Sequence, residues 1–318
     1  MDDVTTAQTS IEDLVYALAA SPCFAQDGVC FAARSSGLYR SDDSGLTWRS
    51  IYGSLDLQAP LATTAVALSP TFDSDHSLFA GSQGGVLRSA DGGENWNVAM
   101  FPPPPPLVSA LAVSPNFVYD GTVFAGTVED GVFRSADRGN RWSAWNFGLL
   151  DLHVLCIALS PHFADDDTLL AGTESGIFRS TNGGRAWREV DFPLDFAPVL
   201  SLAPSPHYTH DGILFAGTES CGLFRSDDRG RTWTRLGQDV VMDAVNGIVL
   251  SPEFPAQPDV LAVMGAALLI SRDGGQSWSD WKAGAPIAEG VASVAAPQGL
   301  TPGAPLLAGL VTGGILRL

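Results

Sequence analysis

Ser41-Asp42-Asp43-Ser44-Gly45-Leu46-Thr47-Trp48 is the stretch that decides the fold, because the same frame returns five more times along the chain. The copies run Ser89 to Trp96, Ser135 to Trp142, Ser180 to Trp187, Ser226 to Trp233 and Ser271 to Trp278. The frame is S-x-D-x-G-x-x-W, with Asp43, Asp91, Asp137, Asp228 and Asp273 in the acidic slot and Asn182 in the fourth copy. Successive tryptophans, from Trp48 through Trp96, Trp142, Trp187 and Trp233 to Trp278, are spaced by 48, 46, 45, 46 and 45 residues. A period of that length, filled with short strand-like segments, is the mark of a ring of β-sheet blades rather than a helical array.

The text between the motifs repeats as well. Val66-Ala67-Leu68-Ser69-Pro70 leads to Phe72 and Asp75, then to Leu78-Phe79-Ala80-Gly81 and Gly85-Val86-Leu87-Arg88-Ser89. Four strands per repeat follow: a ends in Ser-Pro, b ends in Ala-Gly, c ends in Arg-Ser, and d starts at the tryptophan. Each has strand length and β-branched or aromatic content, with turn residues between. No sustained 3.6-residue period occurs, which predicts essentially no helix.

A seventh repeat starts at Val291 and stops at Leu318, at the end of strand c. The reading is therefore one all-β domain, a seven-bladed propeller with four antiparallel strands per blade. Blades fall at about 11–59, 60–105, 106–150, 151–196, 197–242, 243–287 and 288–318 plus 1–9. The missing seventh strand d is expected from the N-terminus, around Val4 to Ala7, which would close the ring and remove an exposed edge.

Within the motif, Ser and Asp side chains suit bonds to nearby backbone N–H groups, and the glycine permits φ > 0. The tryptophan is expected to pack its ring over the hairpin and against the next blade. These residues read as structural, since six similar turns on a rim do not make one active centre. The motif is the Asp-box, or BNR, repeat, and the chain resembles Asp-box propellers over nearly its whole length. It looks similar to photosystem II assembly and stability factors and to single units of the sialidase and xyloglucanase propellers. In those families the boxes are structural, so the resemblance implies no catalytic residue here. Sialidases resemble one another in a three-arginine grip on a carboxylate and a Tyr–Glu nucleophile pair. In this chain most of the arginines are absorbed by the repeat, six of them at the end of strand c (Arg40, Arg88, Arg134, Arg179, Arg225, Arg317). The xyloglucanase arrangement uses two facing propellers, and one propeller lacks the second wall.

The formal net charge is −18, with 35 acidic residues against 17 basic ones. That balance argues against nucleic acid and anionic membrane surfaces and favours basic partners. No apolar run reaches the roughly 20 residues of a spanning helix. The acidic, polar N-terminus carries no signal-peptide pattern, so a cytoplasmic protein is expected, with a mature secreted fragment as the alternative; a monomer is expected as well. Four cysteines without CxxC spacing predict reduced thiols, no metal and no cofactor.

In a propeller the a–b and c–d turns share one face and the d–a and b–c loops share the other. The repeated turns occupy the first face and read as structure. The second carries divergent text and is the candidate partner-binding face, with Glu129, Asp130, Glu174 and Glu219 in b–c loops and Trp145, Phe147, Phe192 and Trp281 in d–a loops. Apolar anchors among fixed negative charges suit a protein partner with basic residues. The function expected is a non-catalytic interaction or assembly scaffold. The alternative is carbohydrate binding or glycosidic cleavage by paired carboxylates.

Overall fold

The computed structural model describes residues 13–281 and 290–318. Within them the chain forms seven antiparallel sheets with their strands in consecutive order, six running from a to d and the seventh from a to c. The molecule is a seven-bladed propeller. The strand expected at Val4 to Ala7 lies outside the described residues. The ring nevertheless closes at its inner wall: the Ser293 hydroxyl in strand a of blade 7 (Val291–Ala295) donates to the Val15 carbonyl in strand a of blade 1 (Val15–Ala20) at 3.2 Å. Gly309, on strand b of blade 7, lets Val15 approach so closely that an added Cβ would sit 2.5 Å from it.

The closure bond belongs to a series. Thr64 and Ser109 donate to the carbonyls of Val108 and Val154 at 2.5 Å, Ser201 donates to Val245 at 2.8 Å, and the Cys156 thiol points to the Val199 carbonyl at 3.4 Å. Each donor sits at or beside a β-bulge that every inner strand carries one or two residues after its lead valine or threonine. The bulge turns one polar side chain sideways, towards the neighbouring blade.

Between strands a and b the expectation of no helix fails locally. Five single helical turns stand there: Phe24–Asp27, Phe72–Asp75, Phe117–Asp120, Phe163–Asp166 and Tyr208–Asp211. They are too short to show a period in the sequence, and side chains build them. The Ser160 hydroxyl donates to Asp166 Oδ2 at 2.6 Å, the other oxygen of Asp166 accepts the Thr168 N–H at 2.8 Å, and Phe163 is buried beneath. Blade 6 has Gln257 in the acidic slot, a longer Ser251 contact of 3.4 Å, and no helical turn.

The box turns follow one plan. In the first, the Gly45 N–H donates to the Ser41 hydroxyl at 2.9 Å, and that hydroxyl donates to Asp43 Oδ1 at 2.8 Å. The Thr47 N–H and hydroxyl then donate to the two Asp43 oxygens. These bonds, led by the Thr47 hydroxyl, hold the Asp43 carboxyl down to about 2. The box glycine is required twice over: Gly139 has φ 82°, and a Cβ there would meet the Phe79 ring of the preceding blade at 2.6 Å.

The tryptophan packs backward, onto the preceding blade, not onto the next. Trp96 donates its indole N–H to Ile51 at 2.9 Å and meets the Tyr52 ring edge-on at 5.3 Å. Trp142 meets Phe101 and Trp233 meets Phe192 in the same T-shaped way. The direction follows from the strand order, because each outer strand ends beside the box of the blade that follows. Strand-c arginines run the other way. Arg40, Arg134 and Arg225 donate to Gly92, Gly183 and Gly274 in the next box, Arg179 donates to Arg229, and Arg88 reaches Asn140. Each of these five seams thus has an aromatic face held at its edge by a guanidinium.

Candidate functional site

Beyond the repeated turns, an open cleft of about 570 Å³ lies between blades 4 and 5 on the d–a and b–c face. Its floor is Leu155 and Leu200, from strand a of blade 4 (Val154–Leu159) and of blade 5 (Val199–Pro204). Glu174 and Glu219, from the two b–c loops, stand at its sides, and Phe196 and Pro198 complete it. A second cleft of about 430 Å³, lined in part by Asp191, Phe192 and Asp195, meets the first at Ser175 and Phe196.

Phe196 divides the two. Its side chain is 86% exposed, and its backbone holds φ 51°, a left-handed conformation that bulky residues rarely adopt. Asp151, at the edge, is committed internally. Oδ1 accepts the His153 N–H at 3.0 Å and Oδ2 accepts the Ser175 N–H at 2.8 Å. Burial pushes the Asp151 carboxyl up, but these bonds outweigh it, and the net effect is below the ordinary carboxylate value. Asp151 therefore fixes the Glu174-Ser175 loop. Neither Glu174 nor Glu219 makes a side-chain hydrogen bond or ion pair among the described residues.

The other predicted face residues are dispersed. Glu129 and Asp130 line neither cleft. Strand b of blade 3 continues to Val128, so Glu129 stands one residue further along than Glu174 and Glu219 and takes φ 95°. Trp145 is half-buried at the seam with blade 4, with the Arg134 guanidinium 4.4 Å above its ring. Phe147 is exposed, but its carbonyl accepts the Trp187 N–H, which places it on the flank between blades 3 and 4. Phe192 packs on Phe224 and Trp233, and Trp281 packs into the core shared by blades 6 and 7 with Arg272 at its ring. Leu155 and Leu200 escaped the sequence reading because they look like ordinary core leucines. The available signal was their slot: the equivalent positions in the other strands a hold Tyr16, Thr64, Ser109, Asn246 and Ala292.

Asp211 accepts the Ser205 hydroxyl and the Ile213 N–H, and the His162 and His210 rings meet edge-on at 6.0 Å. Among the described residues no group of three or more His, Cys, Asp or Glu is arranged to hold a metal ion, and no helix is long and apolar enough to cross a membrane. All four cysteines are unpaired, and burial pushes the Cys30 and Cys156 thiols up to about 12. The Pro102 to Pro106 run contains a cis Pro103–Pro104 bond and bends at 102–104.

The BNR-Asp box repeat matches at residues 223–236 and the BNR/Asp-box repeat at 269–280. Two of the six box turns of this seven-bladed propeller thus match Asp-box repeat models. No curated protein matches its sequence. Among solved structures, YCF48 bound to a D1 peptide superposes with a TM-score of 0.72 at 17% identity, covering 97% of this chain and 94% of that one. YCF48 from Cyanidioschyzon merolae gives 0.69 at 13% identity, with 97% and 96% covered. The GH74 xyloglucanase from Xanthomonas campestris gives 0.74 at 17% identity, covering 96% of this Asp-box chain and 52% of the enzyme. The chain spans between 38% and 52% of the length of the first solved structures it matches. At these identities the likeness is one of fold.

Proposed function

We propose that this Asp-box propeller is a non-catalytic scaffold that binds a protein partner on its d–a and b–c loop face, at blades 4 and 5. The observation that carries the reading is the pair of clefts meeting at Phe196, an aromatic ring set out to solvent beside two carboxylates with no partner of their own. An exposed aromatic next to a concave surface is the form of a binding anchor. The fold shared with a peptide-bound YCF48 supports the same reading.

A photo-crosslinking side chain at position 196, compared with one at Tyr119 on the opposite face, tests it in extracts of the native host. Defined protein adducts from position 196 and none from 119 are expected. Adducts from 119 alone would defeat the assignment of the face. The carbohydrate reading draws on the same cleft, since two carboxylates and a ring can also hold a sugar. Turnover of xyloglucan by the purified protein, lost in Glu174→Gln or Glu219→Gln, would replace the scaffold with a hydrolase.

A further inference from the structure

The seven blades can be compared slot by slot, because each strand a pairs with its strand b in the same register. The residue of strand b opposite the lead residue of strand a is Arg34, Ser82, Thr127, Thr173, Thr218, Met264 and Leu310 around the ring. The residue that follows it, at the rim, is Ser35, Gln83, Val128, Glu174, Glu219, Gly265 and Val311. Carboxylates occur in this slot only on blades 4 and 5. The slot beside it on strand a holds a large aliphatic only on the same two blades, as Leu155 and Leu200. Two independent positions thus depart from the repeat together, and both line one cleft.

From this conjunction we infer that the cleft takes a single arginine or lysine side chain of the partner, its stem along Leu155 and Leu200 and its cationic head between Glu174 and Glu219. The inference rests on the scaffold reading above and names the chemistry of its anchor. Long basic side chains bury their methylenes on apolar surface while the charged end meets acid, and this cleft offers both within one volume. Among the described residues no basic side chain lines it. Asp151 spends its oxygens on His153 and Ser175, whereas the Glu174 and Glu219 carboxylates have no side-chain partner among the described residues. The exposed Phe196 ring adds a face on which a guanidinium or ammonium is attracted by the π-system. The net charge of −18 draws such a partner in from a distance.

An array of capped decapeptides of random composition supplies the probe. The expected selection is for arginine or lysine, and the tightest binder is then measured by fluorescence anisotropy at low and moderate salt. Glu174→Gln with Glu219→Gln should weaken it by about tenfold and flatten its salt dependence. Replacing the peptide arginine by citrulline, or its lysine by acetyl-lysine, should do the same on the unaltered protein. Leu200→Asn should weaken binding equally at both salt concentrations. The inference is overturned if the array selects acidic or uncharged peptides or nothing, or if the double Gln variant keeps both affinity and salt dependence. Should that happen while the probe at position 196 still captures a host protein, the scaffold reading stands and only the anchor is wrong.

Discussion

The two faces of the ring are built from the ends of the same strands, yet they obey different rules. On the a–b and c–d face of blades 1 to 6 the turns are closed by their own side chains. Ser160 with Asp166 and Ser41 with Asp43 and Thr47 are typical, and these bonds recur almost unchanged from blade to blade. On the d–a and b–c face the loops are tied chiefly by backbone, as in Glu219 N–H to Pro198 and Gly131 N–H to Leu152, and the side chains differ on each blade. A turn that uses its polar groups internally has none to offer a partner. A loop held by its backbone keeps its side chains free. The contrast teaches where to look for function in a repeat protein: at slots released from the repeat's own hydrogen bonding.

The largest effect that could break this contrast is on the turn face. Trp187 is only 3% exposed and donates its indole N–H to Trp145 across the seam at 2.7 Å. Trp187→Ala should destabilise the fold by about 3–5 kcal/mol in denaturant unfolding, as large truncations at packed sites do. Partner affinity of the folded fraction should stay the same. A loss of binding in stable protein would mean that the turn face is functional after all.

A smaller, graded effect concerns acid. Asp43 and Asp273 are held at about 2, first by the hydroxyls of Thr47 and Ser277 and then by N–H bonds, against an unfolded value of about 3.9. A carboxyl depressed on folding contributes stability that is fully present above its unfolded value and lost as pH falls through its folded one. The thermal midpoint should therefore decline between about pH 4 and pH 2. The fourth box sharpens the point. Asn182 has Ala186 where four of the other boxes have Thr47, Asn95, Thr232 or Ser277 donating to the second oxygen; the third has Arg141, which reaches Asp137 through its N–H alone. Charge and donor are missing together. Asn182→Asp should deepen the acid decline a little, through the Ser180 hydroxyl and Ala186 N–H that already meet this side chain, and Asn182→Asp with Ala186→Thr should deepen it further. Equal behaviour of the two variants would show that the donor at this position does not matter.

The smallest effect has the opposite sign. Phe196 holds φ 51° with its ring in solvent, at a cost glycine does not bear. Phe196→Gly should raise stability by up to about 1 kcal/mol while weakening the partner interaction. A clear destabilisation would mean that the ring packs in the native state and is no anchor.

Much of the molecule was legible from residues alone. A Ser, an acid, a Gly and a Trp at fixed offsets each act on atoms within a few residues, so their order in the chain carries their geometry. The strand-c arginines were recognisable as a repeat feature for the same reason. The face was harder to read. Trp145 and Trp281 look like exposed loop aromatics in sequence, but the tilt of the outer strands swings them into seams against Arg134 and Arg272. Glu129 looked equivalent to Glu174 and Glu219 until the strand register set it one residue further along.

The sequence by itself determined the blade, its count and its turn chemistry, since these depend on short-range contacts repeated with the period of the chain. Only the tertiary structure decided which side chains meet across a seam: that each box tryptophan turns back to the preceding blade, and that Leu155, Glu174, Phe196, Leu200 and Glu219 converge on one cleft. Those residues are separated by up to a full repeat and brought together by sheet twist and ring closure, quantities that no local spacing encodes.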